Sequence, residues 1–242
     1  MRSLSRRDLE LISQRVLRAY WRLPEARKEP DRINPDILLT SLLGLKIDYR
    51  TLSPDGSLLG LTSFDEIDVE IVGSTELYPL DGKTVLIDSG LQKDKNCLGR
   101  RNFTVGHEGS HHILEMLFPG EYSGGIRGRG VVKYRATDAN GLGCSNHDRE
   151  EWQMDVLTSA LLIPQLLLHR NMKSVGIPNG IPILNRLWRR DEYDAFVRMC
   201  GIMGVSKQAM AYRMERLGLI GENHLKNPYQ MLDIYPDEEG LT

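Results

Sequence analysis

His107-Glu108-Gly109-Ser110-His111 sets two imidazoles four residues apart, with a carboxylate beside the first. On a helix a four-residue step turns about 400°, so both rings project from one face, one turn apart. Rings so placed can grip one metal ion without distorting the backbone. Glu108 is then positioned to take a proton from water activated by that ion. Hydrolytic zinc sites take three protein donors and keep the fourth position for water. Glu151-Trp152-Gln153-Met154-Asp155, forty positions beyond His111 (151 − 111), offers the third donor. Glu151 would be the ligand. Asp155, one turn further on, would accept the outer N–H of a ligating histidine and fix its tautomer. The predicted site is one Zn²⁺ ion on His107, His111 and Glu151, with Glu108 as general base, and the chemistry it predicts is hydrolysis of a peptide bond.

Simpler readings stand beside this one. Two histidines on a helix are also compatible with ordinary packed or surface side chains, and Glu151 with a solvated acidic face that includes Glu150. Cys144-x-x-His147 has ligand chemistry too, but a structural zinc wants four such groups and no second pair exists. Cys144 is read as a bystander, with a thiolate capping the open zinc position as the alternative. His112 points about 100° from His111, which makes it a packed or exposed residue rather than a ligand. Candidates to stabilise the developing oxyanion are Tyr122, Tyr134 and His147.

These residues need elements to hold them. Apolar spacing predicts an amphipathic helix over 5–23, stopped by Pro24, and a helix starting at Asn34-Pro35 and ending at Gly44. Four β-like runs follow, Leu45–Arg50, Ser57–Thr62, Ile67–Val72 and Lys83–Asp88, separated by Pro54-Asp55-Gly56 and Asp81-Gly82 turns. They predict a small sheet, antiparallel in part. Arg100–Phe118 is a helix carrying the histidines, and a second strong helix spans Asp148 to Ile163, ended by Pro164. The glycine-rich stretch 119–147 between them is too long for an ordinary connection and reads as a functional or mobile loop. From there to about Leu219 the pattern looks mainly helical. The fold class is therefore α+β, a small mixed sheet packed on the histidine-bearing helix. The domain reading is 1–32 for an N-terminal helix and connector, 33–172 for the metal-binding domain, and 173–242 for a helical C-terminal region with a polar tail.

At 242 residues the chain can bury a full core, and 40% hydrophobic with 26% charged content argues against long disorder. A net charge of −2 gives no global attraction to nucleic acid or membrane. No apolar run approaches the ~20 residues of a membrane span, and charges interrupt every apolar stretch near the N-terminus, so no signal peptide is expected. The three cysteines show no disulfide spacing, which points to a reducing, cytoplasmic compartment. Charge is uneven locally: the first 32 residues hold eight Arg and one Lys against five acids. That helix is a solvated face or a docking surface for a partner.

Over roughly residues 35–220 the chain resembles the ImmA/IrrE family of metallopeptidases. The likeness rests on Asn102–Leu114 around the histidines, on Glu151–Pro164, similar to the family's E-x-Q-A-N-x-F-A-x-x-L-L-M-P helix, and on Val205–Ile220. Ser110 departs from the family's usual glycine, and Met154, Asp155 and Leu157 replace Ala, Asn and Phe. The resemblance implies a zincin-like fold and an intracellular endopeptidase whose protein substrate is a helix-turn-helix transcriptional repressor. Two rivals remain at this stage. One is a DNA-binding regulator with a vestigial site, using an HTH-like helix at 205–217 with Lys207, Arg213 and Arg216 on phosphates. The other is a non-catalytic interaction protein that keeps its metal for stability.

Overall fold

The computed structural model describes residues 2–122, 131–135 and 146–229, with 131–135 and 146–148 described by backbone alone and Lys95 without its side chain. The architecture is mixed α and β. Helix α1 (Arg6–Tyr20) starts at a capping box: Ser5 Oγ accepts the Asp8 N–H and the Asp8 carboxylate accepts the Ser5 N–H. Asn34 caps a short helix α2 (Pro35–Ile37), which widens into a π-helical turn at Leu38–Leu42. Strands β1 (Lys46–Arg50), β2 (Leu58–Ser63), β3 (Glu66–Val69), β4 (Tyr78–Asp81) and β5 (Thr84–Asp88) follow. Next come α3 (Gly90–Lys93), the long α4 (Leu98–Leu117), β6 (Val131–Arg135), α5 (Asn146–Leu162) and α6 (Gln165–Val175). The C-terminal part holds β7 (Ile181–Leu184), α7 (Arg190–Met203), α8 (Lys207–Arg216) and β8 (Ile220–Asn223).

The main sheet has the order β1-β5-β2-β6, with β1 parallel to β5 and the β2–β5 and β2–β6 pairs antiparallel. Its inner face carries Leu59, Val85 and Ile87 into the main core beneath α4. Its outer face carries Leu58, Leu61 and Leu86, which are covered by Val69 and Leu80 of the β3–β4 hairpin. The register between β2 and β6 shifts between Leu58 and Gly60, a bulge that breaks the strict alternation of faces where β2 crosses α4.

Behind the sheet the helices stack in the order α4, α5, α1. Two glycines let α4 sit close to its neighbours. A Cβ at Gly106 would lie 3.1 Å from Thr158 Cγ2 of α5, and one at Gly109 would lie 2.5 Å from Leu39 Cδ1 of the π-turn. Leu9, Leu17 and Tyr20 of α1 join the same continuous core as Met154, Leu157 and Leu161 of α5. Polar ties fix α1 in place. The Leu4 N–H donates to Gln153 Oε1 (2.8 Å), the Tyr20 hydroxyl accepts the Asn34 N–H (2.9 Å), and Glu10 pairs with the buried Arg213 guanidinium. Among the described residues no helix is long and apolar enough to cross a membrane.

Several elements differ from the sequence reading. The run Ile67–Val72 ends as a strand at Val69, and its last apolar residues belong to the β3–β4 connection. β4, interrupted by Pro79, went unseen because proline there removes a backbone donor; among the described residues the strand pairs only with β3. β6 lies inside the stretch expected to be a loop, β7 lies where mainly helix was expected, and its parallel partner β8 falls just past Leu219, where the polar tail was expected to begin.

Arg213 retains only 4% side-chain exposure in its ion pair, and its Nε also donates to the Ile163 carbonyl at 3.0 Å. Glu10→Ala strands that guanidinium away from its carboxylate, and the expected loss of stability is about 3 kcal/mol in a denaturant titration. Adding Arg213→Met in the same chain should recover most of it.

Candidate metal centre

Helix α4 presents His107 and His111 from one face, and α5 presents Glu151 opposite them. All three side chains are buried, and their donor atoms lie within 4.8 Å of one another. His107 Nε2 is 3.0 Å from Glu151 Oε2, His111 Nε2 is 3.2 Å from His107 Nε2, and Glu151 Oε1 is 3.6 Å from His111 Nε2. Two donors bound tetrahedrally at about 2.1 Å from one ion sit about 3.4 Å apart. The three measured distances, which use both Glu151 oxygens, bracket that spacing, so the group could hold a metal ion. Two imidazole Nε2 atoms facing each other with a carboxylate also make a donor set suited to zinc or a similar divalent ion.

Asp155 stands one turn along α5, its Oδ1 3.0 Å from His107 Nδ1. Burial works against charge on the His107 ring, but the hydrogen bonds to Asp155 and Glu151 outweigh it and hold the imidazole pKa well above its ordinary value. The carboxylates thus favour a cation between them, and a metal ion can take the place of the proton.

Glu108 is fully buried, and among the described residues neither carboxylate oxygen has a hydrogen-bond partner. A buried, unsatisfied carboxylate is costly unless something outside the protein answers it. Burial pushes its pKa up to about 8; His107 opposes the shift and Glu151 adds to it. The space for this side chain comes from β2. A Cβ at Gly60 would lie 2.2 Å from Glu108 Oε1 and 3.0 Å from Thr104 Cγ2. The orphaned carboxylate and the cradle that any side chain at Gly60 would fill both fit a site built for a metal and a water.

The two helices are clamped beside these donors. Ser110 Oγ donates to the Gly106 carbonyl (2.9 Å) and lies 2.8 Å from Thr158 Oγ1 of α5. Ser110 therefore has a structural task in this chain: it carries a polar bond across the α4–α5 seam. His112 points away, with Nε2 2.7 Å from Thr62 Oγ1 and its ring edge-on to Phe64. Burial lowers its pKa to about 4, so it stays neutral and packed, as its angular offset from His111 implies.

Other sequence candidates fall elsewhere. Tyr122 is fully buried and its hydroxyl donates to the Arg2 carbonyl (3.0 Å), with Gln153 Oε1 at 3.4 Å. That hydroxyl ties the N-terminal segment to α5, which corrects its reading as an oxyanion donor. Tyr134 occupies the β6 position paired with Gly60. The side chain of His147 and all of Cys144 lie outside the described residues.

α7 and α8 do form two helices joined through Gly204 (φ 65°), but two of the three cations expected on phosphates have partners within the fold. Arg213 is buried against Glu10, and Arg216 stacks on Tyr212 with its guanidinium carbon 3.8 Å from the ring centroid. Of the three only Lys207 is exposed, near the Tyr193 ring. This corrects the reading of Arg213 as a phosphate contact: its charge is spent inside the fold.

Gly60, Thr158 and Gln153 went unnoticed in the sequence. A glycine inside the apolar strand Leu58–Ser63 was the available signal, since such a glycine marks a bulge or a close approach. The chain matches no family model and no curated protein.

Two outcomes are expected. Gly60→Ala should cost about 2 kcal/mol by overpacking, and in a Glu108→Ala background most of that cost should vanish, a coupling readable by double-mutant denaturation. Asp155→Asn should weaken zinc affinity about 10- to 100-fold in a competition titration with a chromogenic chelator.

Proposed function

We propose that this chain is a zinc-dependent endopeptidase of zincin-like architecture, acting inside the cell on a protein substrate. The observation that carries the reading is the Glu108 carboxylate, without a hydrogen-bond partner among the described residues and within electrostatic reach of the His107–His111–Glu151 group. A structural metal site closes its fourth position with a protein donor and needs no buried acid waiting next to it. A hydrolytic one needs both an open position and a base.

When bound, the ion supplies Lewis acidity, making water acidic enough to lose a proton near neutral pH and polarising the scissile carbonyl. His107, His111 and Glu151 hold the ion, and Asp155 holds His107 in the tautomer that turns Nε2 toward it. Glu108 receives the proton from the attacking water and returns it to the leaving amine. The enclosing walls of β2 and α4 exclude bulk water from that carboxylate, which strengthens its electrostatic interactions. Tyr134, opposite Gly60 in the ladder, is the remaining tyrosine candidate for the oxyanion.

The resemblance to the ImmA/IrrE family supports a helix-turn-helix transcriptional repressor as the substrate. The mixed α and β architecture, with a sheet packed on the histidine-bearing helix, suits that family's expected fold.

Glu108→Gln separates chemistry from metal binding. Zinc content measured by atomic absorption should stay near that of the parent chain, while cleavage of a repressor-type substrate falls at least 100-fold. Undiminished cleavage would remove Glu108 as the base, and with it this reading. Tyr134→Phe should lower kcat and leave KM nearly unchanged.

A further inference from the structure

Two surfaces of this chain have no task in the metal site and are complementary to each other. On α1, Arg7, Leu11, Arg15 and Arg18 fall within an arc of about 80° on the outward face. All four are exposed, Leu11 at 47%, and among the described residues none of the three guanidinium groups pairs with a carboxylate. The second surface is a cavity of about 650 Å³ at the outer face of the main sheet, under the β3–β4 connection. Leu52, Leu58 and Leu61 line it, while Asp68, Glu70 and Glu76 stand exposed in its wall without an ion-pair partner among the described residues. No lysine or arginine lines it.

We infer that α1 of one copy docks into the outer-sheet cavity of a second copy, so that the chain associates head to tail. Three cations around one exposed leucine meet three carboxylates around an apolar hole large enough for that leucine. Exposed like charges repel when clustered, and each set relieves the other. The geometry sets the symmetry. The layers run from the hairpin through the sheet, α4 and α5 to α1, so the two surfaces lie at opposite ends of the stack. One molecule cannot fill its own cavity, and a two-fold dimer cannot make the contact twice. The contact is heterologous, and repeating it gives open chains or rings. Its attraction comes largely from exposed charges, so added salt weakens it as the screening length shrinks.

The test is sedimentation velocity on the full chain at low ionic strength, with matched runs at roughly 0.5 M salt. The wild type should sediment as species larger than a monomer at low salt, with the apparent association constant falling at least tenfold at high salt. Arg15→Glu/Arg18→Glu alone should be monomeric, as should Glu70→Lys/Glu76→Lys alone. Mixing the two variants should restore association, because each then offers a surface complementary to the other. Circular dichroism checks that both remain folded, which their exposed, unpaired positions predict. Arg198→Glu, an exposed change on α7, should leave association as in the wild type. A monomeric wild type at low salt, a variant that associates by itself, or a mixture that stays monomeric would each overturn the inference. Association lost equally in Arg198→Glu would do the same, by showing that general charge and not this pair of surfaces is responsible.

Discussion

Three buried donors crowd into the seam between α4 and α5 with the Glu108 carboxylate, unpartnered among the described residues, set against β2 beside them, and that crowding is the constraint around which the rest is arranged. The two imidazole Nε2 atoms stand 3.2 Å apart, close enough to share a proton or to face one ion, and burying Glu151 and Glu108 beside them brings further desolvation cost. The fold bears this only because the seam is held shut elsewhere. Gly106 lets the helices approach, Ser110 and Thr158 bridge them, and the apolar residues of α5 bury on the far side against α1. The sheet meets the same demand from the opposite side, where a bulged strand with glycine at position 60 leaves room for the Glu108 carboxylate. Packing thus supplies the free energy that offsets the desolvation of these buried polar groups.

Much of that seam was legible in the sequence because helices write their faces at a fixed period. His107 and His111 share a face by the four-residue rule alone, and so do Glu151 and Asp155 on α5. The fold brings these two faces together with the donors at hydrogen-bonding distance. What the chain's local pattern does not encode is how those faces are supported. Gly60 reads simply as a weak strand residue until α4 is laid across it. The short strands β7 and β8 are four residues each, too brief for alternation to set β7 apart from the helical pattern around it or β8 from the polar tail. β6 sits in glycine-rich sequence whose local preference is for turns, and its pairing with β2 is a long-range fact.

The corrected residues share one cause. Tyr122 and Arg213 are polar side chains that looked available because sequence reports chemistry and not burial. Tyr122 spends its hydroxyl on the Arg2 carbonyl, and Arg213 spends its charge on Glu10. Both anchor the N-terminal segment to the helical stack, so α1 belongs to the body of the fold and presents only its arginine face outward.

The central claim is that two imidazoles and one carboxylate hold a single divalent ion. X-ray absorption at the zinc edge of the zinc-loaded chain tests it most directly. Four light scatterers are expected at about 2.0–2.2 Å, with the outer-shell signature of two imidazoles. A sulfur shell at about 2.3 Å, or an imidazole count other than two, would contradict it.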